Sequence, residues 1–121
     1  ASQGSFVVLT SEAGFEGKAR LAPYAAVKAG QRGMARALAR EWGPSGIRVN
    51  CVAPLAASSA MERAFSLDPD MAARVMGRIP LGRLGEPADD VGAVVRFLIS
   101  PDAGFVTGAA IMADGGSCAI S

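Results

Sequence analysis

The sequence predicts an α/β protein built on a doubly wound parallel sheet, with the element order β-α-β-α-α-β. Two observations support this prediction. Short apolar segments rich in β-branched residues alternate with longer segments whose apolar residues recur at helical spacing. Such alternation implies right-handed crossovers and parallel strands. Half of the 121 residues are apolar, which is enough to build a core in one small domain.

The first strand and the first helix are the clearest elements. SFVVLTS, residues 5–11, predicts a strand buried on both faces. After a loop over residues 12–22, a helix is expected from about Pro23 to Trp42, since proline suits a first helical position. Two glycines inside this helix, residues 30 and 33, indicate that something packs closely against it. The predicted core-facing stripe of the helix consists of Val27, Met34, Leu38 and Trp42.

The remaining elements follow the same alternation. GPSG, residues 43–46, ends the long helix, and IRVNCVAP, residues 47–54, is the second strand. A short helix near residues 61–66 precedes another that Asp68 caps and Pro69 opens. A helix from Glu86 to about Ser100 and a last strand within residues 108–116 complete the order. Asp89 and Asp90 near the start of that helix suit the positive end of its dipole.

With only three strands predicted, the first strand lacks a neighbour on one side. An apolar parallel strand needs neighbours on both sides. The first strand would lie at the edge of the sheet unless a strand outside these residues pairs with it. The pattern therefore indicates the second half of a larger doubly wound domain.

Composition excludes several classes of function. The formal net charge is +1 with no basic block, so the chain offers nucleic acid no electrostatic footprint. No apolar run approaches the ~20 residues that span a bilayer, and the N-terminus does not resemble a signal peptide. Without histidine there is no Ser-His-Asp triad and no histidine metal site, and we expect no bound metal. Cys51 and Cys118 suit small buried side chains in a reducing cytoplasm, with a disulfide between them less favoured.

The candidate chemistry centres on Tyr24, the only tyrosine, and Lys28, one of two lysines. Residues four apart share a helix face, and an ammonium beside a phenol lowers a reference pKa of about 10 toward neutrality. Such a tyrosine can donate or accept a proton at physiological pH. Ser11 ends the first strand, where the loops of parallel sheets build their sites, so its hydroxyl could hold a substrate oxygen beside the phenol. The spacing alone leaves an ordinary surface Tyr–Lys pair equally open.

Five segments in order carry a resemblance over nearly the whole chain, from about Gly4 to Gly116. They are GSFVVLTSEAG, YAAVK with Tyr24 thirteen residues after Ser11, GIRVNCVAP, GRLGEPADDVGAVVRFLIS and VTGAAIMADGG. Together they resemble the short-chain dehydrogenase/reductase family, and most closely its 3-oxoacyl-carrier-protein reductases and sugar or polyol dehydrogenases. The resemblance implies a Rossmann-like fold and an NAD(P)-dependent oxidoreductase that interconverts a ketone and a secondary alcohol.

The resemblance also implies roles for individual residues. Tyr24 is the expected general acid/base, Lys28 binds the nicotinamide ribose and lowers the pKa of the tyrosine, and Ser11 positions the substrate oxygen. The cofactor, NAD or NADP, is expected at Tyr24, Lys28, Pro54, Leu55, Ala56 and Ser59. The substrate is expected at Ser11, Ala13, Phe15 and Tyr24. Residues 61–76 resemble the family's substrate lid, with ordinary amphipathic packing as an equal alternative.

The chain departs from the family pattern after its second strand. The family usually has Pro-Gly there, with a Thr five residues after the Pro, and this segment contacts the cofactor. Here Leu55 replaces the Gly and adds bulk where the backbone approaches the nicotinamide. Ser59 keeps a hydroxyl at the Thr position.

The family's Gly-rich phosphate loop has no counterpart among the 15 glycines. We therefore expect residues 1–121 to be the C-terminal catalytic half of a Rossmann-like oxidoreductase domain whose N-terminal dinucleotide-binding half is missing. The expected partners are a small carbonyl or alcohol substrate and a second copy in a homodimer or homotetramer, or else the missing half; nucleic acid and membrane are not expected. The alternative is a truncated, non-catalytic family member that serves as a structural or oligomerisation subunit. An unrelated flavodoxin-like module is the least favoured possibility.

Overall fold

The computed structural model describes residues 3–10 and 22–118, with the backbone alone at residue 24. Three parallel strands lie in the order β1-β2-β3, where β1 is Gly4–Leu9, β2 is Ile47–Pro54 and β3 is Ala110–Ala113. The central strand, β2, sets Val49 opposite Phe6 of β1 and Val52 opposite Ile111 of β3. The predicted α/β class and parallel sheet are confirmed, and β2 has the predicted bounds.

The helices connect these strands as parallel crossovers require. They are α1 (Ala22–Trp42), α2 (Ser59–Leu67), α3 (Pro69–Gly77) and α4 (Ala93–Ile99), and a π-helical turn, Pro87–Gly92, leads into α4. Three helices separate β2 from β3, as the individual segments predict, although the order β-α-β-α-α-β counts only two of them. The Asp68 carboxylate accepts a hydrogen bond from the Met71 amide at 3.1 Å, which confirms the predicted cap of α3. Among the residues with assigned positions, none of the helices has the length and apolarity to cross a bilayer.

The core consists of two apolar clusters, one on each face of the sheet. On one face, Ala35 and Ala39 of α1 pack with Val8, Val49 and Cys51. On the other face, Val52 packs with Val91, Leu98 and Ala103, the helical elements that precede β3. Because β2 contributes to both clusters, it is the strand that fixes the positions of α1 and α4 relative to each other.

The predicted core-facing stripe of α1 is wrong in its first half. Leu38 and Trp42 pack against the core, but Val27 and Met34 are 60% and 48% exposed. The helix approaches the sheet through its alanines, and their small side chains allow a close approach that turns the larger residues toward the flank.

Two outer surfaces stay uncovered by the described part of the chain. A Cβ atom at Gly30 or Gly33 would meet nothing within 4 Å among the described residues, so the close packing predicted there stays a prediction about a partner. The predicted position of β1 at the sheet edge is confirmed. Its predicted burial on both faces is wrong, since Phe6 and Leu9 are 47% and 50% exposed.

Candidate active site

The candidate site lies at the carboxyl edge of the sheet. Because the three strands are parallel, their carboxyl ends meet at this edge, where parallel α/β proteins place their ligands. Thr10 follows β1, Leu55 follows β2 and Asp114 follows β3. Each of these residues makes hydrogen bonds that fix the start of a loop.

Thr10 joins the end of β1 to the helix that carries the Tyr-x-x-x-Lys motif. It is 6% exposed, and its amide donates to the Val52 carbonyl at 2.8 Å. Its hydroxyl donates to the Lys28 carbonyl at 2.9 Å, in the second turn of α1. The residue immediately before Ser11 is therefore bonded directly to Lys28. Sequence reasoning missed Thr10, although a hydroxyl side chain directly after an apolar strand was a signal that could have identified it.

The periodicity of α1 places the motif on the side of the helix that faces the sheet. Residues 24, 28 and 35 fall on one helical face, and Ala35 is 1% exposed against β1 and β2. Lys28 itself is half-buried. For Tyr24 the structure gives the helical backbone position, one turn before Lys28. Predicted residues Ser11, Ala13 and Phe15 lie outside the described residues.

The predicted cofactor segment after β2 is held by backbone hydrogen bonds. The Leu55 amide donates to the Ala113 carbonyl at 3.0 Å, and the Leu55 carbonyl accepts from the Gly85 amide at 3.0 Å. The Ala57 amide donates to the Gly85 carbonyl at 2.9 Å, so Ala56 and Gly85 form a parallel bridge. Pro54, Leu55 and Ala56 are all half-buried, and the segment they form is tied to both β3 and the loop over residues 80–86.

Leu55 lines a cavity beside the end of β3. This cavity has a volume of about 520 Å³, and apolar residues dominate its walls, among them Leu55, Pro80, Leu81, Val94 and Met112.

Ser59 begins α2 with an exposed side chain. The helix is capped by the preceding residue, since the Ser58 hydroxyl accepts from the Met61 amide at 3.1 Å. Within the described part of the chain, the Ser59 hydroxyl has no hydrogen-bond partner, and its contact with the cofactor stays a prediction.

Two carboxylates near this edge have distinct environments. Asp114 is 5% exposed and accepts from the amides of Gly116 and Cys118 at 3.0 and 2.9 Å, which closes the turn after β3. Asp90 faces Arg83, and the hydrogen bond from that guanidinium, with a second from the Glu86 amide, lowers the pKa of Asp90 to about 2. Asp90 thus lies in the first turn, as predicted, and in addition pairs with Arg83.

Cysteine and metal chemistry find no support among the described residues. Neither Cys51 nor Cys118 forms a disulfide, and burial raises the pKa of the Cys51 thiol, so it stays protonated and unreactive. In residues 3–10 and 22–118, no group of three His, Cys, Asp or Glu side chains could hold a metal ion.

Known proteins resemble this chain in both sequence and structure. The family model described as enoyl-(acyl carrier protein) reductase matches residues 1–118. An acetoacetyl-CoA reductase of Shinella zoogloeoides is 42% identical over 115 residues, which cover 95% of this chain and 47% of the relative. A 3-oxoacyl-[acyl-carrier-protein] reductase of Pseudomonas aeruginosa is 43% identical over 113 residues, covering 93% and 44%.

A solved structure gives the same result for the fold. It is assigned as a 2-deoxy-D-gluconate 3-dehydrogenase of Agrobacterium tumefaciens, holds NADP, and superimposes with a TM-score of 0.89 at 35% identity. The match covers 98% of this chain and 48% of that one. The chain thus spans about half the length of the relatives it matches. On the family match and on these relatives, the chain belongs to the short-chain dehydrogenase/reductase family.

Proposed function

We propose that this chain supplies the catalytic half of an NAD(P)-dependent oxidoreductase that interconverts a ketone and a secondary alcohol. The hydrogen bond from the Thr10 hydroxyl to the Lys28 carbonyl, 2.9 Å long, is the observation that carries the proposal. It joins the end of β1, which leads into Ser11, to the turn of α1 that holds Lys28 and follows Tyr24. Ser11 therefore directly follows one segment, and Tyr24 and Lys28 belong to a second segment that contacts the first.

The residues at the carboxyl edge suit a nicotinamide dinucleotide. Lys28 is half-buried at this edge and offers an ammonium to ribose hydroxyls. Ser59 offers an unpaired hydroxyl at the start of α2, where the helix dipole favours an anionic group such as a pyrophosphate. When bound, the cofactor supplies or accepts the hydride. Pro54, Leu55 and Ala56 would line its nicotinamide end.

The side chains of this chain would handle the proton and the developing charge. In the reductive direction, negative charge develops on the carbonyl oxygen, and the Tyr24 phenol donates its proton to that oxygen. The cation at Lys28 favours the phenolate that remains, which regains its proton from solvent. Ser11 donates a hydrogen bond to the same substrate oxygen and orients it. Oxidation of the alcohol reverses each of these steps.

The helices α2 and α3 are the proposed cover of the substrate. Half-buried apolar side chains line them, among them Met61, Phe65, Met71 and Met76. Flexible thioethers accommodate ligands of varied shape, so an apolar or mixed substrate suits this surface. The two relatives named above are reductases of 3-oxoacyl thioesters. A 3-oxoacyl thioester is therefore the first substrate class to assay, with Ala13 and Phe15 assigned to its binding.

The uncovered surfaces support assembly with further protein. The edge of β1, with Phe6 and Leu9 about half exposed, would pair with a strand of the dinucleotide-binding half, from another segment or another chain. The open face of α1, with Gly30, Gly33 and the half-exposed Met34, would pack against a second copy. These same surfaces favour the second candidate function, a non-catalytic subunit that serves in assembly alone.

Replacement of Lys28 by methionine in the full-length protein tests the enzymatic proposal. Methionine keeps the aliphatic stem and removes the charge that assists Tyr24, so we expect turnover of acetoacetyl-CoA with NADH or NADPH to fall by at least about 100-fold. Arg36→Met is the matched control, because Arg36 is an exposed cation two turns further along α1, and its turnover should stay within about twofold.

Two results would contradict the proposal. Unchanged turnover in Lys28→Met would remove the assigned role of the lysine. A full-length protein that neither binds nor turns over a nicotinamide cofactor would favour the assembly subunit instead.

A further inference from the structure

The segment that carries the proposed cofactor residues is paired at one point to the loop over residues 80–86. Gly85 accepts from the Ala57 amide at 2.9 Å and donates to the Leu55 carbonyl at 3.0 Å. Residues 56 and 57 lie beyond the last residue of β2, so this bridge is what prolongs the strand pairing toward Ser59.

A single carboxylate restrains both sides of Gly85. Asp90 accepts from the Arg83 guanidinium through two contacts, 2.6 Å and 3.3 Å, and from the Glu86 amide at 2.6 Å. Arg83 precedes Gly85 by two residues and Glu86 follows it directly. A bidentate Arg–carboxylate contact fixes direction as well as distance, so the backbone of Gly85 is held in one orientation.

The space around Gly85 is narrow in the direction of this carboxylate. A Cβ atom at Gly85 would lie 3.2 Å from the Leu55 carbonyl oxygen and 3.4 Å from the Asp90 Cβ. Gly85 therefore lies between Asp90 and the cofactor segment, and a displacement on one side is transmitted to the other.

This ion pair is too exposed to matter much for global stability. The side chains of Arg83 and Asp90 are 58% and 33% exposed, and exposed pairs contribute little to the free energy of unfolding. Its effect is instead expected where its geometry acts, on the local order of the loop and of the segment paired with it.

We propose that Arg83 and Asp90 are positioning residues that hold Gly85 against Ala56 and thereby set the order of the cofactor-binding segment 54–59. The role in cofactor binding rests on the proposed function. The restraint on Gly85 rests only on contacts within this chain. Loss of either side chain frees Gly85, which loosens the segment before the cofactor arrives. Cofactor affinity then falls, because part of the binding free energy is used to order the segment.

The test compares Asp90→Asn, Arg83→Ala and the double variant in the full-length protein. We expect each single variant to raise the KM for NAD(P)H about three- to fivefold, with kcat within about twofold. The KM for NAD(P)H of the double variant should be no higher than that of the single variants, because each substitution removes the same contact. Arg83→Lys, which keeps the charge without the bidentate fork, should recover part of the loss.

A second readout does not depend on the reaction. Hydrogen exchange at the Gly85 and Ala57 amides should accelerate several-fold in Asp90→Asn, while exchange in β2 stays at the wild-type rate. Asp89→Asn is the matched control, because Asp89 is an exposed carboxylate at the start of the same helix and makes no hydrogen bond within the described part of the chain.

The outcomes separate this proposal from the proposed function. Wild-type exchange and KM in Asp90→Asn, or an equal effect of Asp89→Asn, would overturn the positioning role while leaving the enzyme reading intact. A wild-type protein that binds no nicotinamide cofactor would instead remove the proposed function, and with it the link between this restraint and cofactor binding.

Discussion

Replacing Thr10 by valine tests whether the end of β1 is held against α1 as the proposed site requires. The Thr10 side chain is 6% exposed, and its hydroxyl donates to the Lys28 carbonyl at 2.9 Å. Valine keeps the volume and the β-branching, and its amide can still pair with the Val52 carbonyl. The substitution therefore removes one contact between the strand end and the helix.

The loss of stability expected for Thr10→Val depends on whether the substitution leaves the Lys28 carbonyl without a hydrogen-bond partner. A neutral hydrogen bond contributes about 0.5–1.5 kcal/mol net. The Lys28 carbonyl lies inside α1, where a helical carbonyl also accepts from the amide four residues on, so it is not left unpaired. We therefore expect a loss near the middle of that range, about 1 kcal/mol, which lowers Tm by roughly 2–4 °C in a protein about twice the length of this chain.

Thermal unfolding and steady-state kinetics on the full-length protein measure the two consequences. Thr10→Val should show the lower Tm, together with a fall of at least about tenfold in kcat, because small displacements of positioned groups are costly to catalysis. Thr10→Ser keeps the hydroxyl and is the control, with kcat near the wild-type value. Wild-type Tm and kcat in Thr10→Val would refute the reasoning that this bond positions the site.

Two further predictions concern the turn after β3 and the loop before α4. Gly115 has a φ of +63°, and a Cβ there would lie 2.7 Å from the Ile79 Cγ2 atom, so Gly115→Ala should destabilise the protein by at least about 1–2 kcal/mol in denaturant unfolding. Gly77→Ala, in open space at the end of α3, should instead leave stability unchanged or raise it by up to about 1 kcal/mol, and a comparable loss in both variants would contradict the account. The pKa of Asp90 is held at about 2, below its ordinary 3.8, so its bonds to Arg83 and Glu86 are present above pH 3.8 and lost as the pH falls through about 2. The Glu86 amide resonance should titrate with that lower midpoint, and a midpoint at the ordinary value would show that the ion pair does not form.

The sequence was sufficient to predict elements whose determinants are local. The bounds of β2 follow from an apolar segment between the glycine turn at residues 43–46 and the Ala/Ser-rich loop. The start of α3 follows from Asp68 and Pro69, since a cap and a first-turn proline act within three residues. The order of motifs also placed Tyr24 and Lys28 on the helix that faces the sheet.

What the sequence could not reveal depends on contacts between distant residues. The exposure of Val27 and Met34 depends on how closely α1 approaches the sheet, which the apolar periodicity does not encode. Thr10 meets Lys28 across 18 residues, and Gly85 meets Leu55 across the whole of α2 and α3. Such pairs become visible only once the strands are in register.

The central claim is that the phenol of Tyr24 transfers the proton, and kcat of Tyr24→Phe in the full-length protein tests it most directly. Phenylalanine preserves the ring and removes the hydroxyl alone. We predict a fall in kcat of at least about 100-fold with NAD(P)H affinity within a few-fold of wild type. Turnover at the wild-type rate would contradict the account and leave the chain as a family member whose chemistry, if any, lies at other residues.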